Sequence, residues 1–180
     1  MKKIGIVGWN TGDNSFGVTK AYLAWLSKFG EVTILTPRKE IVNDLDLLIL
    51  PGGVDINPTS YDAVPGYYTG NTDVMKQYFY DNNLDKYIEN GTPVFGICLG
   101  FQQLCAKFGG KLLQHFNYNA STKSRSELVD TLTFNPGSSI YDFLTESSLP
   151  LDYKVNSIHH QGCHYLPNSE TLAVSDNNNI

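Results

Sequence analysis

The sequence has few cysteines and no long apolar run, and each shortage disfavours a class of protein. Cysteine occurs three times in 180 residues, at Cys98, Cys105 and Cys163. This odd set without paired spacing disfavours a disulfide framework and is compatible with a working thiol. Nowhere do about 18 apolar residues follow one another, and the short apolar run after Met1 does not suit a signal peptide. We therefore expect a soluble, cytoplasmic protein without a membrane partner.

Basic residues are also scarce. The chain has 13 Lys and Arg against 18 Asp and Glu, for a net charge of -5, and no basic cluster stands out. Because a phosphate backbone attracts clustered Lys and Arg, nucleic acid is not an expected partner. Hydrophobic residues make up 41% of the chain and charged residues 17%, a globular balance. A chain of this length suits a single domain, 1–180.

Short apolar runs alternate with helical patterns through the first part of the chain. The runs lie at 4–7, 32–35, 47–50 and 94–97. Helical spacing is found in Val18, Tyr22, Leu26 and Phe29, in 74–91 with a weak point at 81–83, and in 99–108. The alternation predicts an α/β fold with an open, mostly parallel sheet flanked by helices. After Lys111 the pattern loosens, and we expect extended segments at 128–134, 153–157 and 171–174.

Cys98 lies at the junction of a predicted strand and a predicted helix, in Gly96-Ile97-Cys98-Leu99-Gly100. The glycines permit a sharp backbone turn, and the arrangement is typical of a nucleophile elbow. Unpaired N–H groups at the start of the helix favour the thiolate. The alternative is a small cysteine that only packs, an interpretation that suits Cys105 in the same helix better.

A Pro51-Gly52-Gly53 loop follows the strand at 47–50. Ligands of open α/β sheets bind outside the carboxyl ends of the strands, so this loop is expected beside the elbow. An N–H of Gly52 or Gly53, together with that of Leu99, would stabilise the oxyanion of a tetrahedral intermediate. Such a turn is more often only a turn, but its pairing with the elbow favours the functional interpretation.

Two further segments do not predict a metal or cofactor site. His159, His160 and His164 lie near Cys163, and His115 would be an outlying ligand. Adjacent histidines on a strand point to opposite faces and no Cys-x-x-Cys pair exists, so no metal is expected. The glycine-rich segment 8–17 lacks the spacing of a nucleotide loop, and Ser15 is interpreted as a helix cap. No cofactor is predicted.

Four segments in order along the chain carry a resemblance to a known family: 50–58 with Tyr61, 93–104, 108–114 and 155–162. They resemble class I glutamine amidotransferases, and within that superfamily the γ-glutamyl hydrolase branch. The resemblance implies a flavodoxin-like fold and a hydrolase in which Cys98 attacks the γ-carbonyl of glutamine or of a γ-glutamyl amide. Water then cleaves the glutamyl thioester. Gln102 matches the position that holds the substrate, and His160 lies in a segment that lines the glutamyl pocket.

Several functions remain open at this point. The first is a γ-glutamyl hydrolase acting alone on a small-molecule γ-glutamyl substrate. The second is a glutaminase subunit that supplies ammonia to a partner synthetase. The third is a non-catalytic binding module of the same fold, and a cysteine hydrolase of the dienelactone type is a more distant alternative.

The family's catalytic histidine lies in a His-Pro-Glu segment, and no such segment occurs in these 180 residues. Either the chain lacks its C-terminal strand or strands, or this member has lost its general base. We expect the first, because Cys98, the double-glycine loop and Gln102 are all present. His159 or His160 is an alternative base. On this expectation the 180 residues alone show little glutamine hydrolysis.

Overall fold

The structure, a computed structural model, describes residues 1–12, 14–37, 41–115, 127–128 and 130–175. Its contacts divide the chain into two compact units, Met1–Lys107 and Phe108–Ile180. A single domain over 1–180 remains a prediction. Across the described ranges, no helix is both long and apolar enough to cross a membrane.

The first unit is built on a parallel sheet. In chain order its elements are β1 (Lys3–Val7), β2 (Trp9–Gly12), β3 (Ser15–Gly17), α1 (Lys20–Leu26), β4 (Glu31–Leu35), β5 (Leu47–Leu50), a 3₁₀ turn (Pro58–Tyr61), α2 (Val74–Asn82), α3 (Leu84–Glu89), β6 (Val94–Gly96) and α4 (Leu99–Lys107). The strands are ordered β4-β1-β5-β6, and every neighbouring pair is parallel. A short antiparallel hairpin, β2 and β3, follows β1.

Both faces of this sheet are covered by helices. Successive side chains of a strand point to opposite faces, so the apolar runs of β1 and β5 supply residues to two cores. One core joins α1 to the sheet through Ile4, Ile6, Leu26 and Ile49. The other joins α2 and α3 to the opposite face through Val7, Leu35, Leu48, Leu50, Phe79, Tyr80, Leu84 and Tyr87. The predicted α/β fold with a mostly parallel sheet is confirmed.

The helices correct two details of the sequence prediction. The helix predicted at 74–91 is interrupted at Asn83, where the weak point was expected. Phe29 was assigned to the apolar face of the first helix, but α1 ends at Leu26 and Phe29 is exposed. The assignment of Ser15 as a helix cap is also wrong, because Ser15 lies in β3 and Thr19 precedes α1.

The second unit is mainly antiparallel. Its elements are β7 (Lys111–Leu113), β8 (Asp130–Phe134), α5 (Ser139–Glu146), β9 (Asp152–Val155), β10 (Gly162–Tyr165) and β11 (Ala173–Ser175). β8 lies between β11 and β9, and β7 pairs with β10. The predicted extended segments are confirmed as β8, β9 and β11. The sequence did not predict β7, β10 or α5 as separate elements.

Candidate active site

Cys98 lies between the end of β6 and the start of α4, in a backbone conformation that favours glycine. Its φ is 52°, in the left-handed region. A residue with a Cβ adopts this region at a cost of about 1–2 kcal/mol, and such conformations cluster at functional sites. The thiol is free and exposed. The structure therefore has the backbone geometry expected of an elbow.

Close packing places this elbow directly against the end of β5. The Ile97 N–H donates to the Leu50 carbonyl at 2.9 Å. A Cβ on Gly100 would overlap that same carbonyl, so only glycine permits the first turn of α4 to lie this close to the strand. The loop after β5 and the loop after β6 are consequently neighbours.

The Pro51–Gly53 loop lies next to Cys98. A Cβ on Gly52 would lie 3.3 Å from the Cβ of Cys98. The Gly52 N–H donates to the Tyr22 hydroxyl at 3.1 Å, and the Gly52 carbonyl accepts from Lys76 Nζ at 2.6 Å. Within the described part of the chain, the Gly53 N–H has no hydrogen-bond partner. Both polar groups of Gly52 are thus used inside the unit, whereas the N–H of Gly53 is not.

Leu99 supplies the first N–H group of α4, and the first N–H groups of a helix have no partner inside it. The side chain of Leu99 is buried, with 2% exposure. Leu99 and Gly53 also approach one another, because a Cβ on Gly53 would lie 2.9 Å from Leu99 Cδ2. Two of the predicted oxyanion donors therefore belong to neighbouring residues, Gly53 in the loop after β5 and Leu99 at the start of α4.

Sequence reasoning missed Lys76, which contacts this loop from α2. Lys76 is 4% exposed, and its Nζ lies 4.2 Å from the ring centroid of Trp9 and 3.8 Å from Asp73 Oδ2. Burial lowers the pKa of Lys76 from its ordinary value, while the charges of Asp73 and Cys98 act in the opposite direction. A sequence signal was present, because Lys76 lies three and four residues before the buried Phe79 and Tyr80 and so shares their helix face.

Gln102 lies one turn along α4 from Cys98. Its N–H donates to the Cys98 carbonyl at 3.0 Å, and the residue is only 5% exposed. The interpretation of Gln102 as a polar residue on a helix surface is therefore wrong. Its assignment to substrate binding remains a prediction.

His160 lies in the second unit and is half-buried. Its Nδ1 lies 3.2 Å from Nδ1 of His115, and the centroids of the two rings are 5.3 Å apart. The neighbouring His159 Nδ1 lies 2.9 Å from the Gln161 carbonyl. In the ranges that the structure describes, no group of three or more His, Cys, Asp or Glu side chains is placed to hold a metal ion. A pocket role for His160 remains a prediction.

Comparisons with known proteins identify the family of the chain. The Peptidase C26 family model matches residues 8–180. The glutamine amidotransferase-like protein YvdE of Lactococcus lactis subsp. lactis (strain IL1403) is 28% identical over 180 residues, 89% of this chain and 75% of that protein. Its homolog from Lactococcus lactis subsp. cremoris is 30% identical over 178 residues, 89% of this chain and 94% of that protein.

A solved structure shows the same fold. A glutamine amidotransferase from Thermotoga maritima superposes with a TM-score of 0.63 at 14% identity, covering 99% of this chain and 69% of that protein. At this low identity the likeness concerns the fold alone.

Proposed function

The chain belongs to the Peptidase C26 family of class I glutamine amidotransferase-type hydrolases, and from this premise we propose that it cleaves the γ-amide bond of glutamine or of a γ-glutamyl compound. The observation that carries the proposal is Cys98, a free and exposed thiol held at a φ of 52° between β6 and α4. A strained, exposed nucleophile at a strand-to-helix turn is the arrangement used for acyl transfer.

The reaction begins with addition of the Cys98 sulfur to the γ-carbonyl carbon. A C–S bond forms, and the carbonyl π electrons move to oxygen to give an oxyanion. When the intermediate collapses, the C–N bond breaks and the amine leaves with the proton that the thiol has lost. Water then adds to the glutamyl thioester, the C–S bond breaks, and glutamate and the thiol are restored. Each hydrogen-bond donor aimed at the oxyanion typically lowers the activation free energy by about 3–4 kcal/mol.

We assign oxyanion stabilisation to the Leu99 N–H and to the double-glycine loop, Gly52 and Gly53. Gln102 is assigned to the glutamyl group, because an amide side chain both donates and accepts hydrogen bonds and so suits an amino-acid head group. His160 is assigned to the same group from the family resemblance alone. These assignments keep to a small-molecule γ-glutamyl substrate and need no cofactor.

A second candidate function is supply of ammonia to a synthetase. It is supported by the relatives' names, which describe glutamine amidotransferase-like proteins. A subunit of this kind would release little ammonia alone and more when the synthetase is added. A hydrolase that acts alone would show no such dependence on a second protein.

Covalent labelling tests the proposed function without requiring complete turnover. A diazoketone analogue of glutamine takes up a proton at the diazo carbon, and the Cys98 sulfur then displaces dinitrogen from that carbon. We expect peptide mapping to find the label on Cys98, and excess γ-glutamyl compound to slow labelling. The γ-glutamyl compound that protects best would identify the preferred acyl donor.

The controls are Cys98→Ala and a simple diazoketone without the amino-acid head group. We expect no label on the variant and at least about tenfold slower labelling by the simple reagent, since each loss of about 1.4 kcal/mol of binding free energy is a factor of ten. Label found mainly on Cys105 or Cys163, or equal rates for the two reagents, would contradict the proposal.

A further inference from the structure

Lys76 is a buried cation whose shortest contact is with the backbone of the Pro51–Gly53 loop. Its Nζ donates to the Gly52 carbonyl at 2.6 Å, whereas the Asp73 carboxylate is 3.8 Å away. The other oxygen of Asp73 accepts from the N–H groups of Met75 and Lys76, each at 3.0 Å, and so caps α2. The ammonium is therefore directed at the loop more closely than at its ion-pair partner.

Burial of this charge requires compensation. A lysine ammonium loses hydration when it is buried, and the loss is offset only by polar or aromatic partners. Here the partners are the Gly52 carbonyl, the face of Trp9 and the more distant Asp73. An apolar residue would satisfy the packing of this helix face without that cost, so the geometry indicates a role for the ammonium itself.

Because the peptide bond is planar, the contact of Lys76 with the Gly52 carbonyl also sets the orientation of the N–H group in the same peptide. In a trans peptide the carbonyl of one residue and the N–H of the next point in opposite directions. Because Lys76 fixes the Gly52 carbonyl, it also fixes the direction of the Gly53 N–H, which points away from Lys76. The Gly52 N–H is held separately by the Tyr22 hydroxyl at 3.1 Å.

We propose that Lys76 is a positioning residue that orients the Gly52–Gly53 peptide, so that Gly53 rather than Gly52 donates its N–H to the reaction oxyanion. This inference rests on the proposed function and refines it. The need for glycine at position 53 agrees with it, because a Cβ there would lie 2.7 Å from Lys76 Nζ. Lys76 thus acts on the reaction through a peptide and not by contact with the substrate.

The test compares two reactions of Cys98 in the full chain. In the first reaction the thiol adds to the C=O group of an aldehyde. A C–S bond forms, and the thiol proton passes to the carbonyl oxygen or to solvent. The oxygen of this product occupies the oxyanion position. Iodoacetamide alkylates sulfur with loss of iodide and forms no oxyanion. The aldehydes are 5-oxopentanoate, which mimics a glutamyl chain, and pentanal, which has no carboxylate.

Lys76→Met should weaken binding of 5-oxopentanoate by about 100-fold, the effect of losing one oxyanion donor. Its alkylation rate at the high-pH plateau, where every thiol is ionised, should change by less than about threefold, because positioning of the peptide does not alter intrinsic thiolate reactivity. The matched control is Lys107→Met, which removes an ammonium that pairs with Asp85 and lies over the ring of Tyr80. It should affect neither reaction.

Tyr22→Phe keeps the ring and separates the two possible donors even if Lys76→Met does not fold. Loss of the hydroxyl frees the Gly52 N–H, so aldehyde binding would strengthen if Gly52 were the donor. We expect unchanged or weaker binding, and stronger binding would overturn the proposal.

The two aldehydes separate this inference from the proposed function. If the unmodified chain binds both aldehydes equally but Lys76→Met still weakens pentanal binding, the glutamyl substrate is wrong and the role of Lys76 stands. If Lys76→Met binds both as tightly as the unmodified chain, the role of Lys76 is overturned. Failure of the unmodified chain to bind either aldehyde would also overturn it, because there would be no oxyanion site to orient.

Discussion

Cys98 combines a reactive group with a backbone conformation that opposes side chains. In the left-handed region a Cβ approaches the following carbonyl, a contact that glycine does not make. With a φ of 52°, Cys98 should therefore lower the stability of the fold that presents it. Strain of this kind is expected where function rather than stability selects the residue.

A pair of variants measures this cost. Both Cys98→Gly and Cys98→Ala remove the sulfur, but only glycine relieves the backbone strain. We expect the free energy of unfolding of Cys98→Gly to be about 1 kcal/mol higher than that of Cys98→Ala, because the relief of backbone strain exceeds the cost of the extra chain entropy of glycine. Urea unfolding of both variants provides the measurement. Equal stability, or a more stable alanine variant, would show that the conformation carries no strain.

Single residues were predicted from sequence where a local motif identifies them. Cys98 and the Gly52-Gly53 pair stand in short patterns that require no knowledge of distant contacts, so their positions at the ends of two strands could be predicted from sequence. Lys76 was missed because a charged residue on an apolar helix face contributes nothing to a hydrophobic pattern. Its importance lies in contacts with β2 and with the loop after β5, which are distant in sequence.

At the scale of elements, α5 is capped by a residue far along the chain. Ser138, at the N-cap position, makes no side-chain cap hydrogen bond. Instead the Glu170 carboxylate accepts from the Ser139 N–H and from the Ser139 hydroxyl, both at 2.7 Å. These hydrogen bonds lower the pKa of Glu170 from its ordinary value. A negative charge at a helix N-terminus is also favourable toward the helix dipole.

Glu170→Gln should therefore lower the melting temperature in a pH-dependent way. Because the pKa of Glu170 is lower in the folded state, its contribution is full above the ordinary glutamate pKa and is lost as the pH falls through the folded-state pKa. The difference between the chain and the variant should be clear at neutral pH and disappear in strong acid. Thermal unfolding monitored by circular dichroism at several pH values tests this.

Glu146→Gln is the matched control on the same helix. Glu146 is the last residue of α5, where a carboxylate is unfavourable toward the helix dipole. Its replacement should leave the melting temperature unchanged or slightly raised. A loss equal to that of Glu170→Gln would show that general charge removal, and not capping, is responsible.

Elements of the first unit were better predicted than those of the second. Buried parallel strands such as β5 are continuous apolar runs bounded by turn residues, a strong signal in sequence. The strands β7 and β10 are short and owe their structure to pairing across a long separation in the chain. The hydrophobic period of such short segments gives little information, and a pairing partner cannot be identified from one sequence.

At the scale of the whole molecule, the family was predicted from the order of several motifs and is supported by the match to residues 8–180. The Pro51–Gly53 loop, the elbow and Gln102 follow one another through strands and helices of the first unit. His160 belongs to the second unit and was assigned by resemblance alone, because no local pattern distinguishes a pocket histidine from a structural one. This difference explains why the site is predicted more fully around Cys98.

The position of Trp9 gives the chain an optical reporter on Lys76 and Tyr22, the two side chains that contact Gly52. Of the two tryptophans, Trp25 is 39% exposed, while the Trp9 ring lies 4.2 Å from Lys76 Nζ and meets the Tyr22 ring edge to face. An indole in contact with a cation emits at a wavelength that depends on that charge. In a Trp25→Phe background, fluorescence emission should shift when Cys98 is acylated and again when Lys76 is replaced by Met, whereas a spectrum unmoved by both changes would contradict the contact. Occupancy of the site can then be followed in real time without an added dye.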